Sequence, residues 1–353
     1  MNLVVGVDAG ASSTRSVLAT SDGRVIGRGS AGGANLNSSG ASLAETLRAA
    51  LGAALSETDP SGVRAGVLGA AGSAGAGRAV FRTAAVQAWR SLGLPGEPVT
   101  VTDLEVAFAA GTAGRAGTLL LSGTGALAAR FSAGVLVRRC DGYGWLLGDE
   151  GSAVWIGIRG LRAVLAALDG RGAPTTLVDA ARDIFGIAEV RDREALAQAV
   201  LADAFRRPPA ELGLLAPAVS AVADVGDAVA QAICAEAATR LLHTFDAVGR
   251  TPGDQPPGDQ PPGDQPPGDQ PSSRQSPSSR PPGDQSQGGA VVLAGSVLLS
   301  PGPVGRAVRR GLRARTHIEP SEARDGAGGA ATMAIARLIG GPVSAEVHAR
   351  LTS

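Results

Sequence analysis

The sequence predicts an α/β protein with two similarly organised halves, and three observations support this. Apolar runs of strand length alternate with amphipathic runs of helical period along most of the chain. Glycine-rich turns follow strand-like runs at three places, within residues 4–20, 118–131 and 290–300. The pattern that opens the chain starts again after residue 117. With 353 residues, the chain is long enough for two domains with sizeable cores.

The first half, predicted as residues 1–116, reads as three antiparallel strands followed by alternating helices and strands. The segments LVVGVDAG and TRSVLAT flank the first turn, and RVIGRG follows them. Residues 41–55 have the apolar spacing of an amphipathic helix. A strand over 63–72, a helix over 78–92 and a short strand that breaks into a helix at Asp103 complete this half.

The second half, predicted as residues 117–353, repeats the opening with two strands around the turn LSGTG and a third strand, GVLVRRC, over 134–140. Residues 148–168 read as a helix, with Asp149, Glu150 and Ser152 placed for its N-terminal turn. The remaining predicted elements are helices over 175–248, a buried strand with its loop over 290–300 and a closing helix over 328–340.

Residues 252–285 differ in composition from the rest of the chain. The tripeptide GDQ recurs five times, four of them with the five-residue period PPGDQ. A segment so rich in proline and glycine cannot form a packed core. We predict a disordered surface insertion that interrupts the second half, and a polyproline strip that binds a partner is the alternative.

The composition excludes several classes of function. The formal net charge is zero, whereas a nucleic-acid-binding protein needs a basic face. All 32 basic residues are arginine, which excludes both a Walker-loop lysine and Schiff-base chemistry. No apolar run approaches the ~20 residues of a membrane helix, and no leader pattern precedes the first strand. We therefore predict a cytoplasmic protein without nucleic-acid or membrane partners.

Carboxylates are the side chains best suited to proton transfer in this chain. None of the three histidines has a spaced partner that would indicate a zinc site. The two cysteines, Cys140 and Cys234, are far apart in sequence and indicate no disulfide framework. Proton transfer therefore falls most naturally to an aspartate or a glutamate.

The first turn combines an acidic residue with a run of small residues. Asp8 closes the first strand, and Gly10, Ser12, Ser13 and Thr14 follow it. Small residues let backbone amides crowd around an anion such as phosphate, and a carboxylate at this place can hold Mg²⁺ through water. This pattern indicates half of a split nucleotide site. A turn aspartate with only local hydrogen bonds is the alternative.

Asp103 stands where the strand VTVT ends and a helix begins. Aspartate is a favoured helix N-cap, so a purely structural role explains its position. A general base that orients and deprotonates a hydroxyl during phosphoryl transfer explains it equally well. Position alone leaves both interpretations open.

The segment CDGYGWLLGDEGS, residues 140–152, is the densest polar and aromatic cluster in a chain that is only 3% aromatic. It carries Asp141, Tyr143 and Asp149 on a glycine-rich backbone. Carboxylates beside an apolar ring suit a sugar, which has polar edges and apolar faces. Asn35 is a second candidate for sugar hydroxyls. Ordinary helix capping for the cluster, and a loop role for the asparagine, are the alternatives.

These motifs, in this order, resemble a known family. The segments DAGASSTRS, TD, LSGTG, GYGWLLGDEGS and LAGSV are similar to those of the family that joins N-acetylglucosamine kinases with BadF/BcrA-type ATPases. The resemblance covers nearly the whole chain except the PPGDQ insertion. It implies two ribonuclease-H-like lobes of the actin/hexokinase/Hsp70 fold with an interlobe cleft that closes on substrate. It also implies ATP and Mg²⁺ as cofactors, and a homodimer.

The resemblance further implies a role for each candidate residue. Asp103 matches the general base that acts on the 6-hydroxyl of the sugar, and Asp8 matches the magnesium-associated acid. The residues from Gly10 to Thr14 would wrap the outer phosphates, with Ser12 standing where the family usually has threonine. The other implied contacts are Gly123, Thr124 and Gly125 with phosphate, Gly295 and Ser296 with adenosine, and Asn35, Asp103, Asp141, Gly142, Tyr143 and Asp149 with the sugar.

The leading interpretation is an ATP-dependent kinase for N-acetylglucosamine, and several alternatives stay open. Asp141 and Tyr143 depart from the family pattern in the sugar segment, so a glucosamine or N-acetylmuramic acid kinase is also considered. A carboxylate at position 141 could favour a sugar with a free ammonium group. An ATPase activator of a CoA-ester dehydratase or reductase would need a [4Fe–4S] cluster held by cysteines. A non-catalytic sugar sensor would have no use for Asp103.

Overall fold

The computed structural model describes residues 2–10, 13–34, 42–56, 58–73, 75, 77–187, 189–190, 192–250 and 289–353. In these ranges the strands are β1 (Leu3–Ala9), β2 (Ser13–Thr20), β3 (Val25–Gly32), β4 (Val63–Ala70), β5 (Val99–Thr102), β6 (Gly117–Ser122), β7 (Ala126–Ser132), β8 (Val135–Asp141), β9 (Ala290–Ala294) and β10 (Ser321–Glu322). The helices are α1 (Leu43–Leu55), α2 (Gly77–Ser91), α3 (Asp103–Gly111), α4 (Ala153–Asp169), α5 (Leu177–Phe185), α6 (Arg193–Arg206), α7 (Ala216–Asp224), α8 (Ala228–Gly249), α9 (Ser296–Leu299), α10 (Pro303–Thr316), α11 (Gly326–Ile339) and α12 (Ala345–Thr352).

The strands form two five-stranded sheets that share one topology. The first sheet has the order β3-β2-β1-β4-β5 and the second the order β10-β9-β6-β7-β8. In each sheet three consecutive strands pair antiparallel. Two later strands then extend the sheet in parallel from the first of the three. This confirms the predicted α/β fold with two lobes of the actin/hexokinase/Hsp70 type.

Helices α3 and α11 lie between the two sheets and join them. Helix α11 packs against β1, β4 and α3. On its other side, α3 contributes Leu104 and Phe108 to a core cluster of the second sheet. The ring of Phe108 stacks on Phe131 of β7 with a centroid distance of 4.3 Å. Because α3 begins at Asp103, this packing fixes the position of Asp103 relative to the second sheet.

Glycine makes the close approach of these layers possible at two contacts. A Cβ at Gly6 of β1 would overlap with the backbone of α11. A Cβ at Gly329 of α11 would lie 2.6 Å from the backbone nitrogen of Ala110 in α3, well inside ordinary contact distance. Any larger residue at either position would therefore push apart the layers that hold the site.

The last two helices return to the first sheet. Ala331 of α11 and Leu351 of α12 are buried in the same cluster as Val4 of β1. The division based on sequence assigned all of residues 117–353 to the second lobe, whereas residues 326–352 pack against the first. Helix α12 was not predicted at all. Local periodicity identifies a helix, but it cannot tell which distant sheet the helix covers.

Two predicted boundaries in the second half need correction. The helix predicted over 148–168 begins at Ala153, and Ser152 is its N-cap, with Oγ accepting from the Trp155 amide at 3.1 Å. Asp149 precedes the helix with a left-handed φ of 55°, which is incompatible with a helical turn. The loop predicted after β9 contains the short helix α9.

Three further predictions concern segments or partners. The insertion at 252–285 lies outside the described residues. Among the described helices, none alone has the length and apolar character to cross a membrane, and one bent pair, Pro209–Asp224 with Ala228–Gly249, meets these criteria only when combined. Side chains of this pair belong to the core of the second half. The homodimer stays a prediction.

Candidate active site

Asp8 and Asp103 stand at the ends of two strands of the first sheet and interact with each other. Asp8 is the next-to-last residue of β1, and Asp103 directly follows β5. Burial, together with the negative charge of Asp103, raises the pKa of Asp8 to about 6. Burial also raises the pKa of Asp103 to about 6, partly opposed by main-chain hydrogen bonds at the start of α3. The structure therefore places the predicted general base, Asp103, and the predicted magnesium-associated acid, Asp8, at the same edge of the parallel strands β1, β4 and β5.

Asp103 is not the cap of its helix. The N-cap of α3 is Thr102, whose Oγ1 accepts from the Glu105 amide at 3.3 Å. The Glu105 carboxylate accepts from the Thr102 amide at 2.8 Å, which completes a capping box. The alternative prediction, that Asp103 is the N-cap of this helix, is therefore wrong. Thr102 is the N-cap, and Asp103 is the first residue of the helix.

We expect Asp8→Asn to stabilise the ligand-free protein at pH 7.5. A carboxyl whose folded-state pKa lies near 6 rather than 3.8 binds its proton more tightly in the folded state. Stability is therefore lost as the pH rises from 4 through 6. Asparagine removes this loss, so the free energy of unfolding should rise by about 1–2 kcal/mol at pH 7.5 and little at pH 4. Urea unfolding at both pH values measures this.

Asp179→Asn is the control for this stability measurement, because the side chain of Asp179 is 74% exposed. It should leave the free energy of unfolding nearly unchanged at either pH. An Asp8→Asn variant that is less stable than the parent protein at pH 7.5 would contradict the interpretation that the buried, ionised carboxylate of Asp8 destabilises the fold.

The first glycine-rich turn joins β1 to β2 beside Asp8. The Gly10 amide donates to the Ser13 carbonyl at 2.9 Å and closes the turn. Thr14 is fully buried, and its hydroxyl donates to the Gly32 carbonyl at 2.9 Å. Thr14 therefore ties β2 to β3, which differs from its predicted phosphate contact. The predicted site residues that lie outside the described ranges are Ser12 and Asn35.

The N-terminus of α11 also lies against Asp8. A Cβ at Gly326, the first residue of α11, would overlap with the Asp8 carboxylate. Asp325 caps this helix through the Gly328 amide at 2.9 Å and forms an ion pair with Arg28 of β3 at 2.6 Å. This contact between Gly326 and Asp8 joins opposite ends of the chain. No local sequence pattern indicates such a contact, so it was not predicted.

The second and third glycine-rich turns meet at the end of the second sheet. The Gly123 amide donates to the Gly125 carbonyl at 2.9 Å. A Cβ at Gly123 would lie 3.6 Å from the Cα of Gly295. Gly295 has a left-handed φ of 88°, and a side chain there would overlap with the Ser122 carbonyl. The predicted phosphate loop and the predicted adenosine contact therefore form one continuous surface.

A cavity of about 420 Å³ opens beside this surface. It has the size and the mostly apolar wall of a small-molecule site. A larger cavity of about 650 Å³ lies along β2 and β3, with Arg15, Arg28 and Arg324 in its lining. Of the predicted nucleotide and sugar residues that the structure describes, none lines that larger cavity. The lining of the smaller one includes the predicted contacts Thr124 and Ser296 and the apolar residues Ile156, Leu214, Pro217 and Val297.

The segment 140–152 forms a loop that is closed at its base by Asp141. Asp141 Oδ1 accepts from the amides of Gly142 and Asp149, each at 2.7 Å. Asp141 Oδ2 accepts from the Glu150 amide at 2.9 Å. The carboxylate therefore holds the protein's own backbone, which differs from its predicted role as a sugar contact.

Asp149 connects this loop with the second phosphate turn. A Cβ at Gly125 would lie 3.0 Å from Asp149 Oδ2, so the two predicted subsites adjoin. Burial raises the pKa of Asp149, against the effect of main-chain hydrogen bonds from Ala126 and Gly144. Tyr143, which is 67% exposed, stands on the outer part of the loop. Among the described residues, Asp149 is thus a predicted sugar contact that adjoins the second phosphate turn.

Arg139 is a residue of the site that the sequence analysis missed. A bulge in the β7–β8 pair puts Arg139 opposite Ala129, which belongs to the same core cluster as Leu104. Arg139 therefore lies on the sheet face that α3 covers. Its charge lowers the pKa of both Asp103 and Asp149. Strand alternation alone would not reveal this face, because the bulge reverses the alternation.

Comparison with known proteins assigns the chain to a family. The model of the BadF/BadG/BcrA/BcrD ATPase family matches residues 5–258, which is more than half of the chain. The chain belongs to this ATPase family. The match includes the first two glycine-rich turns, Asp103 and the loop with Asp149, and it confirms the resemblance seen in the motifs.

Individual relatives of this BadF-type protein are sugar kinases by name. An N-acetylmuramic acid/N-acetylglucosamine kinase of Clostridium acetobutylicum is 30% identical over 249 residues, which cover 70% of this chain and 79% of the relative. A Chromobacterium violaceum structure assigned as an N-acetylglucosamine kinase has a TM-score of 0.66 at 23% identity, covering 94% of this chain and 98% of its own. A ROK family glucokinase of Streptomyces griseus, solved with glucose and AMPPNP, has a TM-score of 0.51 at 15% identity, covering 94% and 99%. The two structures support the fold.

Proposed function

We propose that this chain is an ATP-dependent kinase that phosphorylates the 6-hydroxyl of N-acetylglucosamine. The observation that carries the proposal is the buried carboxyl of Asp103, which is not the N-cap of α3, has a pKa raised to about 6 and lies at the same edge of the first sheet as Asp8. The relative named for N-acetylmuramic acid and N-acetylglucosamine supports the substrate class. Membership in an ATPase family supports ATP as the phosphoryl donor.

The nucleotide would be held mainly by main-chain groups. The chain contains no lysine, so no ammonium group can neutralise the phosphates. Backbone amides in small-residue turns take over this role in proteins, and two such turns are present here. In this proposal the phosphates lie between the Gly10 turn and the Gly123–Gly125 turn. The base and ribose then occupy the cavity lined by Thr124 and Ser296.

Asp8 fits the requirements of a magnesium-associated residue. Among the described residues, no group of three or more His, Cys, Asp or Glu side chains could hold a metal ion. Mg²⁺ needs no such cage, because it is commonly bound by one or two carboxylates together with substrate phosphates. Asp8 would supply the carboxylate, and the ion would neutralise charge on the phosphate oxygens.

Asp103 would act as the general base. With a pKa of about 6, its carboxylate is ionised at neutral pH and still basic enough to take a proton from a hydroxyl. The sugar oxygen forms a bond to the γ-phosphorus, the bond to the bridging β–γ oxygen breaks, and the hydroxyl proton moves to Asp103. Arg139 lowers the pKa of this carboxyl and so helps to keep it ionised.

The other interpretations fit the site less well. The Asp141 carboxylate is engaged by three main-chain amides, which disfavours it as the partner of a glucosamine ammonium. An iron–sulfur cluster needs accessible thiolates. Cys234 is only 2% exposed, and burial raises the pKa of its thiol to about 11. A sugar sensor would not need Asp103.

One observation favours N-acetylmuramic acid as a second substrate. Arg139 lies on the sheet face toward α3, and its positive charge lowers the pKa of both Asp103 and Asp149. N-Acetylmuramic acid differs from N-acetylglucosamine by a carboxylate-bearing ether. A guanidinium group can bind a carboxylate through two parallel hydrogen bonds.

ADP release with a panel of sugars tests the proposed function. The panel contains N-acetylglucosamine, glucosamine, N-acetylmannosamine, N-acetylmuramic acid and glucose. We expect kcat/KM for N-acetylglucosamine to exceed that for glucosamine by about tenfold or more, the size of effect that one well-placed polar contact gives. Failure of every hexosamine to stimulate ATP consumption would contradict the proposal.

Arg139→Ala tests the second substrate. The ratio of kcat/KM for N-acetylmuramic acid to that for N-acetylglucosamine should fall by about tenfold or more, because a charge-assisted contact to the carboxylate is lost. Arg130→Ala, an exposed arginine on the neighbouring strand, is the matched control. An unchanged ratio would remove the reason for considering N-acetylmuramic acid.

A further inference from the structure

We propose that Asp141 is a positioning residue that holds the sugar-binding loop, residues 142–148, closed at its base. This inference rests on the proposed function for the meaning of the loop. It replaces the interpretation of Asp141 as a direct sugar contact. Three observations support it, namely the hydrogen bonds of the carboxylate, the backbone conformation around it and the exposure of the loop.

The Asp141 carboxylate joins both ends of the loop. It accepts from Gly142 at the beginning, at 2.7 Å, and from Asp149 and Glu150 at the end, at 2.7 and 2.9 Å. A carboxylate offers about four lone-pair positions, so three donors nearly saturate it. Hydrogen bonds to an ionised acceptor are stronger than those between neutral groups. The Asp141 side chain therefore holds the two ends of the loop together through hydrogen bonds.

The backbone at both ends of the loop is in an unfavourable conformation that the carboxylate stabilises. Asp141 has a φ of 65° and Asp149 a φ of 55°, both in the left-handed region. A Cβ at Gly148 would overlap with Asp141 Oδ1, so glycine at this position leaves room for the carboxylate. Asp141, Gly148 and Asp149 thus form one unit, in which the conformation of Asp149 depends on the other two.

The loop has little packing of its own to hold it. Tyr143, Leu146 and Leu147 are 67%, 72% and 80% exposed, and Trp145 is 45% exposed. Apolar burial therefore contributes little to closing the loop, which leaves this role to hydrogen bonds. Within the loop the Gly148 amide donates to the Gly144 carbonyl at 2.8 Å, and the Asp141 carboxylate is the group that joins the two ends. Asp149, at the end of the loop, lies next to Gly125 of the phosphate turn. We call the three hydrogen bonds to the Asp141 carboxylate the clamp. Loss of the clamp would displace Asp149, which borders both the proposed sugar subsite and the proposed phosphate subsite.

Two substitutions at Asp141 separate the contribution of its carboxylate from that of its left-handed backbone conformation. Asp141→Gly keeps the left-handed conformation and removes all three acceptor contacts. Asp141→Asn keeps the size and tolerates a left-handed backbone, but turns an amide group toward a main-chain donor. We expect the KM for N-acetylglucosamine to rise about tenfold in Asp141→Asn and about a hundredfold in Asp141→Gly, with the KM for ATP changed less than about threefold.

Proteolysis of the ligand-free protein tests the clamp without any assumption about substrate. Chymotrypsin cleaves after exposed aromatic residues, and Tyr143 and Trp145 are the candidates in the loop. Cleavage between residues 143 and 147 should be about tenfold faster or more in Asp141→Gly than in the parent protein, because the loop opens more often. This outcome holds even if the chain does not phosphorylate a hexosamine, so the two proposals can fail separately.

Gly148→Ala provides a double-mutant test of the same unit. Alone, it should accelerate cleavage and raise the sugar KM, because the new methyl group displaces the Asp141 carboxylate. In the Asp141→Gly background the same change should have a much smaller effect, since only the 3.1 Å approach of the new methyl group to the Tyr143 Cβ remains. Additive effects of the two substitutions would overturn the proposal. So would unchanged cleavage in Asp141→Gly, or a loss confined to glucosamine in Asp141→Asn, which would show a direct contact with the ammonium group.

Discussion

Asp103→Asn is expected to lower kcat by about a thousandfold while the Kd for N-acetylglucosamine changes less than about threefold. Asparagine keeps the shape of the side chain and its hydrogen-bonding reach to a hydroxyl, but it cannot accept the proton. The helix itself should be unaffected, because the capping box of Thr102 and Glu105 does not involve the Asp103 side chain. Calorimetric sugar binding and initial rates of ADP release measure the two quantities separately.

The pH profile adds a second signature of the two buried carboxyls. Because the pKa values of Asp103 and Asp8 both lie near 6, kcat/KM should rise as the pH increases through 6 and level off above it. An unperturbed aspartate would put this limb near pH 4. Asp179→Asn serves as the exposed control and should keep both the rate and the profile of the parent protein. Turnover of Asp103→Asn within about tenfold of the parent protein would show that another group is the base.

Gly295→Ala is expected to raise the KM for ATP by about a hundredfold or more. The alanine would have to adopt a φ of 88°, and its methyl group would overlap with the Ser122 carbonyl. Relief of this overlap must move either the Gly123–Gly125 turn or the start of α9, and both border the proposed nucleotide cavity. The sugar KM, measured at saturating ATP, should change far less.

A neighbouring glycine gives the matched control for this change. Gly302 lies in the lining of the same cavity, and a Cβ there would only make ordinary contact, at 3.4 Å, with the side chain of Ser220. Gly302→Ala should therefore leave the KM for ATP within about threefold of the parent value. Thermal unfolding of both variants separates a local change from a general loss of the fold. Equal ATP kinetics in the two variants would argue against a nucleotide in this cavity.

The elements that were predicted correctly are those that depend on neighbouring residues. Apolar runs of strand length identified β1 to β9, and the small-residue turns after β1, β6 and β9 followed from glycine and serine. The duplicated arrangement of the two sheets was also visible, because the strand pattern of the first half starts again at residue 117. Asp8 and Asp103 were singled out because each stands at the end of a strand, and their roles stay predictions.

The features that were missed depend on contacts between distant parts of the chain. Helix α11 returns to the first sheet and brings Gly326 against Asp8, which no local pattern indicates. The buried hydroxyl of Thr14 and the β-bulge that turns Arg139 toward α3 are likewise set by strand partners. Asp141 was assigned to the sugar because a carboxylate in a glycine-rich loop has the same appearance whether it binds a ligand or the backbone.

A crystal structure with N-acetylglucosamine and a non-hydrolysable ATP analogue tests the central claim most directly. We predict the adenine base in the cavity lined by Thr124 and Ser296, the phosphates between the first two glycine-rich turns, and the sugar O6 about 2.6–3.2 Å from a carboxylate oxygen of Asp103. A nucleotide bound elsewhere, or a sugar whose O6 lies beyond hydrogen-bond reach of Asp103 when both ligands are bound, would contradict it.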